Sequence, residues 1–374
     1  MLALTHPLEM QRPPILHFGI GVLPKLGEWV VNRGFTRPFV IADVVNAARL
    51  SVLGLANATC FGTVKPEPDI ANLKQAVTAA EAACADVVIG FGGGSAMDLA
   101  KLVAVMAGSG KDLHAISGPH RAPSRTLGLA QIPTTAGTGS EVGTRALITD
   151  PETRNKIATE SLHMLADIAI IDPELTATVP PFITAATGVD ALAHCVEAFT
   201  SRRSHPLVDD YALRGIELVG ANLKRAVDNG GDMEARSALA LASFYGGVCL
   251  GPVNTTAGHA IAYPLGTRHK IAHGIANALI FPHVLAANAA AQPEKTALTA
   301  KALGFAGSTA EEIRQGALAF CESLGLDMRL RAHGVPEEDL PAMAREAHAI
   351  RRLLDWNPVD LSENDILQIY RTAW

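Results

Sequence analysis

The stretch GVDALAHCVEAF (188–199) sets a carboxylate, Asp190, and an imidazole, His194, four residues apart in a run that is otherwise small, apolar and helix-forming. Positions i and i+4 share a helix face, so the two side chains can reach one ion together. Two more imidazoles follow in GHAIAYPLGTRHKIAHGIANALIFPHV (258–284). His259 sits in a small-residue helical segment, and His273 stands just before Gly274 and another helix. Neutral imidazole suits Fe(II), Zn(II) and neighbouring metals, and one carboxylate offsets part of the charge. A set of one carboxylate and three imidazoles leaves room for a substrate oxygen. The spacing alone also admits an Asp–His helix salt bridge and separately satisfied core histidines. Burying all four without partners would cost several kcal/mol, a cost that a shared metal answers. Cys195, next to His194, reads as a small buried hydrophobe rather than a ligand.

A second chemistry is written in glycines. In VVIGFGGGSAMDLAK (87–101) an apolar strand runs into Gly92, Gly93 and Gly94, then Ser95, then a helix with Asp98 near its start. Glycines let a backbone approach an anion closely, and the N–H groups of a helix start supply donors, as does the Ser95 hydroxyl. The same residues also describe a plain glycine turn, with Ser95 as N-cap and Asp98 completing a capping-box-like start. IPTTAGTGSEVG (132–143) follows another apolar run and offers Thr134, Thr135, Thr138 and Ser140 beside Gly137 and Gly139. Two such loops at the ends of two strands suit a nucleotide held across the carboxyl edge of a doubly wound sheet. Asp43 ends PFVIAD at the same edge. There it can accept from the ribose hydroxyls of NAD and repel the 2′-phosphate of NADP, or it can simply cap a helix. FGIGVLPKLGEW (18–29) imitates a dinucleotide fingerprint with Gly19 and Gly21, but Pro24 stands in the third glycine's place, and an ordinary glycine turn is the better reading.

These residues need elements to hold them. Up to about Pro180, β-rich runs end at turn or polar residues: 38–43, 87–91, 127–133, 145–150 and 168–172. Helical patterns such as AVTAAEAACA and SAMDLAKLVAVMA lie between several of them, which implies a mostly parallel sheet with helices on its faces. After Val179-Pro180-Pro181 the strands give way to alanine- and leucine-rich segments with helical spacing, from about Ala185 to the end. The double proline starts a helix well and cannot continue one, so it marks a boundary. The expected organisation is an α/β domain over 1–179 and an all-helical domain over 180–374.

The whole chain bounds the partners. It has 374 residues, 48% hydrophobic and 18% charged, with a net charge of −6 and no basic stripe. Nucleic acid and anionic membrane surfaces are therefore not the expected partners. No window is expected to approach the length of a spanning helix, and MLALTHPLEMQRPP lacks the pattern of a signal peptide. The five cysteines, Cys60, Cys84, Cys195, Cys249 and Cys321, are scattered without a CxxC pair, as reduced thiols of a cytoplasmic protein are.

Nearly end to end, the chain resembles the iron-containing (group III) alcohol dehydrogenases. The resemblance runs through FGIG, GGGSAMDLAK, PTTAGTGSEV, IIDPELTATVPP, GVDALAHCVEAFTS, YPLGTRHKIAHGIANALIFPHV and NPVDLSENDILQIY. It implies an N-terminal nucleotide-binding, Rossmann-like domain, a C-terminal helical domain and an active site in the cleft between them. It implies that Asp190, His194, His259 and His273 are metal ligands, with iron as the family's metal and zinc chemically admissible. It places a pyrophosphate grip on Gly94 and Ser95, a threonine contact in the Thr134–Thr138 loop and a lysine near the nicotinamide ribose at Lys156. Asp43 matches a position that is acidic in NAD-using members, and relatives imply a homodimer or larger homo-oligomer.

Three positions depart from the family pattern. Tyr263 stands four residues after the third ligand, where many members carry a histidine thought to relay protons. A tyrosine there is similar to the hydroxyacid–oxoacid transhydrogenase branch. Glu67, in KPEPD, replaces an asparagine that some relatives place near the adenosine, and no role is carried over to it. His269, where aromatic residues are common, is a second candidate for the proton relay. The resemblance thus implies a metal- and NAD-dependent oxidoreductase that interconverts a small alcohol and its aldehyde or ketone. A hydroxyacid–oxoacid transhydrogenase and a maleylacetate reductase-like enzyme are the alternatives on the same fold. The full ligand set counts against the reductase branch, which often lacks it.

Overall fold

The structure, a computed structural model, describes residues 4–153 and 155–374. They form two compact units. One comprises Gln11–Thr135 and Gly139–Ala177; the other comprises Thr178–Trp374, the tripeptide Ala136–Thr138 and residues 4–10.

Among the described residues, nine strands lie in the first unit: β1 (Ile15–Phe18), β2 (Pro38–Ala42), β3 (Thr59–Phe61), β4 (Val87–Gly92), β5 (Gly118–Pro119), β6 (Gly128–Pro133), β7 (Arg145–Asp150), β8 (Asn155–Glu160) and β9 (Ile168–Ile171). Six of them make a parallel sheet in the order β1-β9-β6-β4-β2-β3. Strands β2, β4, β6 and β9 are buried along their whole length, as expected of a parallel sheet covered on both faces. The two-residue alternation divides their side chains between two cores. Phe39, Ile41, Val88 and Leu129 pack on one face with the helices Ile70–Ala82 and Gly94–Met106. Val40, Ala42, Ile89 and Ile132 pack on the other with Leu26 and Trp29. From β2 the chain moves outward to β3, then returns to β4 on the opposite side and continues through β6 to β9. The direction of winding reverses between β2 and β4, and ligands of such sheets bind at the carboxyl ends flanking that reversal.

The run at 145–150 corrects the sequence reading. It forms β7, which pairs antiparallel with β8 in a separate three-stranded sheet, β5-β8-β7. Its alternating burial shows that one face is fully covered and the other only partly. The short strands β1, β3 and β5 and the six-residue, largely polar β8 were not legible in the hydrophobic pattern.

The second unit is helical. Pro180 is the N-cap and Pro181 the first residue of a 20-residue helix, Pro181–Thr200, where a missing N–H costs nothing. The helices Pro206–Asp228, Met233–Leu250, Ala257–His269 and His273–Asn288 follow. The expectation about spanning windows also needs correction. Pro181–Thr200 and His273–Ala291 are long and apolar enough to cross a membrane by length and composition. Both are mostly buried within the protein, and both carry polar side chains on buried faces, as core helices of the unit do.

Candidate metal centre and cofactor loops

Three helices bring the four predicted ligands together. Asp190 and His194 project from successive turns of Pro181–Thr200, His259 from the first turn of Ala257–His269, and His273 from the start of His273–Asn288. One donor atom of each lies within 4.8 Å of all the others. Oδ1 of Asp190 is 3.9, 3.7 and 3.6 Å from Nε2 of His194, His259 and His273. Ligands bonded to one ion at about 2.0–2.2 Å stand roughly 3–4 Å apart, so these spacings suit a single ion. Asp190, His194 and His259 are almost wholly buried, whereas the His273 side chain is 25% exposed, so the cluster opens to solvent on that side.

The surroundings decide how the rings face. Nδ1 of His194 lies 3.2 Å from the Gly137 carbonyl, and Nδ1 of His259 lies 2.6 Å from Oε1 of Glu197. With the proton of each neutral ring on Nδ1, both Nε2 atoms present lone pairs to the same point, 2.9 Å from each other. Outward N–H groups held by acceptors are the usual support of metal-bound histidine. Asn277 completes the arrangement. Its Nδ2 donates to Asp190 Oδ1 at 2.6 Å and lies 3.1 Å from Nε2 of His259 and of His273. Burial alone would push the Asp190 carboxyl up, but His194, His273 and His259 in their charged forms, with the Asn277 amide, outweigh it and hold it below the usual range. The donor set fits a divalent metal.

Sequence reasoning missed Glu197, Asn277 and the Gly137 carbonyl. Glu197 lies three residues after His194 and Asn277 four after His273, so each shares a helix face with a ligand. A buried polar residue at that spacing was the available signal. Gly137 had been read only as part of a nucleotide loop. A Cβ there would stand 2.9 Å from Cβ of Thr187, so glycine is what lets the loop come close enough to hold His194. Cys195 turns its thiol toward the Ala242 carbonyl, and burial pushes it up to about 12.

The two relay candidates are placed differently. Tyr263 is buried beside the ligands, its ring 6.5 Å from that of His259 and 6.2 Å from that of His273, with the Arg352 guanidinium 5.7 Å from its centroid. His269, the second relay candidate, sits at the C-terminal end of Ala257–His269 beside a carboxylate. Its Nε2 lies 3.3 Å from an Asp339 carboxylate oxygen, in a network where Arg268 pairs with Asp339 and Glu346.

In the α/β unit, Gly93 is the N-cap of Gly94–Met106 and has no side-chain cap; Ser95 lies within the first turn. The alternative reading of Ser95 as N-cap is therefore wrong, and the first-turn N–H groups of this helix have no side-chain acceptor at the cap. Asp98 is held within the fold. Its carboxylate accepts from Ser140 Oγ at 2.6 Å and Leu147 N at 2.9 Å, and lies 3.5 Å from the buried Lys101 ammonium. It ties the helix to the loop and to β7. Asp43 is a capping residue: Oδ1 accepts from the Val45 and Asn46 N–H groups, and Oδ2 accepts from Asn46 Nδ2 at 2.7 Å. Asn46 Nδ2 also reaches Thr134 Oγ1 at 3.3 Å, so one buried amide links Asp43 on the β2 edge to the threonine loop after β6. A carboxylate offers about four acceptor positions, and Asp43 retains one on Oδ2. Thr135 is half-buried beside Gly93, and Thr138 belongs to the tripeptide grouped with the helical unit. Lys156 projects from β8 against the Glu67 carboxylate; burial pushes it down to about 8.

Known proteins match this arrangement along its length. The family described as iron-containing alcohol dehydrogenase matches residues 13–173, and the C-terminal region of the Fe-containing alcohol dehydrogenase family matches residues 184–374. The chain is similar to long-chain-alcohol dehydrogenase 1 of Geobacillus thermodenitrificans, 36% identical over 383 residues, covering 97% of this chain and 95% of that protein. Among solved structures it is similar to a 1,3-propanediol oxidoreductase, with a TM-score of 0.92, 30% identity and coverage of 99% and 100% of the two chains. It is also similar to sulfoacetaldehyde reductase from Bifidobacterium kashiwanohense in complex with NAD+, with a TM-score of 0.88, 27% identity and coverage of 98% and 99%.

Proposed function

Because the chain belongs to the iron-containing alcohol dehydrogenase family, we propose that it interconverts a small alcohol and its aldehyde or ketone, with NAD as the hydride carrier. The observation that carries the proposal is the meeting of two Nε2 lone pairs and one carboxylate at a point between three helices. Asp190, His194, His259 and His273 would hold a divalent ion, iron by family and zinc by chemistry. When bound, the ion supplies Lewis acidity toward a substrate oxygen. The protein's own residues do the rest. Glu197 and the Gly137 carbonyl orient two of the rings. The partial exposure of His273 gives a substrate its approach to the cluster. Tyr263, against His259 and His273, either passes the hydroxyl proton or shapes the pocket wall.

For the cofactor, the N–H groups of the Gly93–Ser95 turn suit a pyrophosphate, the threonines Thr134, Thr135 and Thr138 offer hydroxyls, and Asp43 offers an acceptor to a ribose hydroxyl. Lys156 is the candidate for the nicotinamide ribose. The position of Gly93 and Asp43 just beyond the carboxyl ends of β4 and β2, the two strands that flank the reversal of the sheet, supports this reading. Residues 1–179 would serve the nucleotide and 180–374 the metal and substrate. The cysteines of the described residues are all unpaired, which supports a cytoplasmic enzyme. Exposed Phe18 and Ile20 at the end of edge strand β1 support a homo-oligomer, which light scattering would test.

The dehydrogenase and reductase names of the relatives favour this reading over a transhydrogenase. A kinetic screen of alcohols, hydroxyacids and aldehydes with NAD(H), with metal content measured on the same sample, tests it. Release of free NADH from an alcohol supports a dehydrogenase. Absence of NAD(H) turnover across the panel in metal-loaded protein would reject it.

A further inference from the structure

We infer that Glu197 is a positioning residue of the metal centre: it fixes the His259 ring so that Nε2 faces the other ligands, and it anchors the helix that carries His259. This rests on the reading of Asp190, His194, His259 and His273 as metal ligands. Glu197 is buried, and both of its oxygens are used. Oε1 lies 2.6 Å from His259 Nδ1. Oε2 accepts from Thr256 N at 2.5 Å, Thr256 Oγ1 at 3.1 Å and, more distantly, His259 N at 3.4 Å.

Those donors have a common origin. Thr256 is the N-cap of Ala257–His269, and its own side chain makes no cap hydrogen bond. The N–H groups of a helix start lack intrahelical partners and favour an anion. Here the anion comes from a different helix, Pro181–Thr200, which also supplies Asp190 and His194. One carboxylate therefore sets where the third ligand's helix begins and which nitrogen of its ring carries the proton. A neutral imidazole has a single N–H, so an acceptor at Nδ1 leaves the Nε2 lone pair for a metal.

The space for this contact is reserved. A Cβ at Gly258, between Thr256 and His259, would stand 2.6 Å from Oε1 of Glu197 and displace the carboxylate. Glutamine cannot copy the arrangement. Its oxygen can accept from His259, but its NH2 group then faces the Thr256 donors. Glu197 also borders a small, mainly apolar cavity with Val196, Phe281, Val284 and Leu285, so a shortened side chain enlarges a space already present there.

Wild type, Glu197→Gln and Glu197→Ala are stripped of metal and titrated with Zn(II) against a chromophoric chelator. Co(II)-loaded samples are compared by visible absorption, and metal-free samples by thermal unfolding. Both variants should bind Zn(II) more weakly, by about 10–100-fold as for other partners of metal-bound histidine, with shifted Co(II) bands. Zn(II) affinity and Co(II) bands equal to wild type, with only the metal-free unfolding temperature lowered, would reduce Glu197 to a structural cap and overturn the inference. If alanine fails to fold, the near-isosteric glutamine variant decides. If wild type itself binds no Zn(II), the reading of the four ligands fails instead, a separate result.

Discussion

The Nε2 atoms of His194 and His259 stand 2.9 Å apart, while the Nδ1 atoms of both rings lie against acceptors. When both rings are neutral with their protons on Nδ1, they aim lone pairs at each other, and a cation held by them and Asp190 would turn that repulsion into attraction.

The first prediction follows from this pair. His259→Ala or His273→Ala should lose most bound metal and most turnover while the circular dichroism spectrum is kept. Wild-type enzyme stripped of metal should be inactive and recover with Fe(II) or Zn(II). An unchanged rate in fully stripped protein would make the site structural.

Asp43 should govern cofactor choice. Its carboxylate is anchored by three hydrogen bonds at the end of β2, where a 2′-phosphate would meet a fixed negative charge. Wild type should prefer NAD over NADP in kcat/KM. Asp43→Gly should narrow or reverse that preference by roughly 1–3 kcal/mol, the scale of a hydrogen bond to a charged group. Equal use of both cofactors by wild type would sink the assignment. Because Asp43 also caps Val44–Ala47, the variant's unfolding temperature should be recorded alongside.

Tyr263 separates proton relay from pocket wall. If it passes the proton, Tyr263→Phe should lower kcat by about 10²–10⁴ and change the pH profile, with metal content intact. Tyr263→His should then retain activity and move the optimum for alcohol oxidation downward, since imidazole deprotonates at lower pH. A nearly neutral Phe variant would identify a wall.

Glu141 offers a test by stability. It is buried, one carboxylate oxygen has no hydrogen-bond partner, and burial pushes its carboxyl up to about 7. The folded protein keeps this proton up to about pH 7, whereas the unfolded chain releases it near pH 4.5. The folded state thus binds more protons across that window, and stability falls as pH rises through it. Glu141→Gln removes the fall. Its advantage over wild type should be larger at pH 8 than at pH 5, by at most about 3 kcal/mol at 1.36 kcal/mol per pKa unit. Urea unfolding of both proteins at both pH values measures this; an equal gap would refute it.

The sequence by itself determined the parts that depend on neighbours along the chain. Parallel strands buried on both faces read as short apolar runs, which is why β2, β4, β6 and β9 were legible. Helix periodicity paired Asp190 with His194, and Val179-Pro180-Pro181 announced a helix start. Local pattern could not tell that 145–150 leaves the main sheet, because an apolar strand carries no record of its partner. Nor could it assign the polar residues of the loops. Ser95, Asp98 and Asp43 each fit a capping or a ligand role by type. Only the contacts put Asp98 on Ser140 and Leu147 and left Ser95 without the capping role. The tertiary structure also decided which atoms face the metal point. A histidine offers two nitrogens, and the choice belongs to acceptors 57 and 62 residues distant, Gly137 for His194 and Glu197 for His259. A hydrogen bond that orients a ring acts through space and direction, and neither is written in the order of residues.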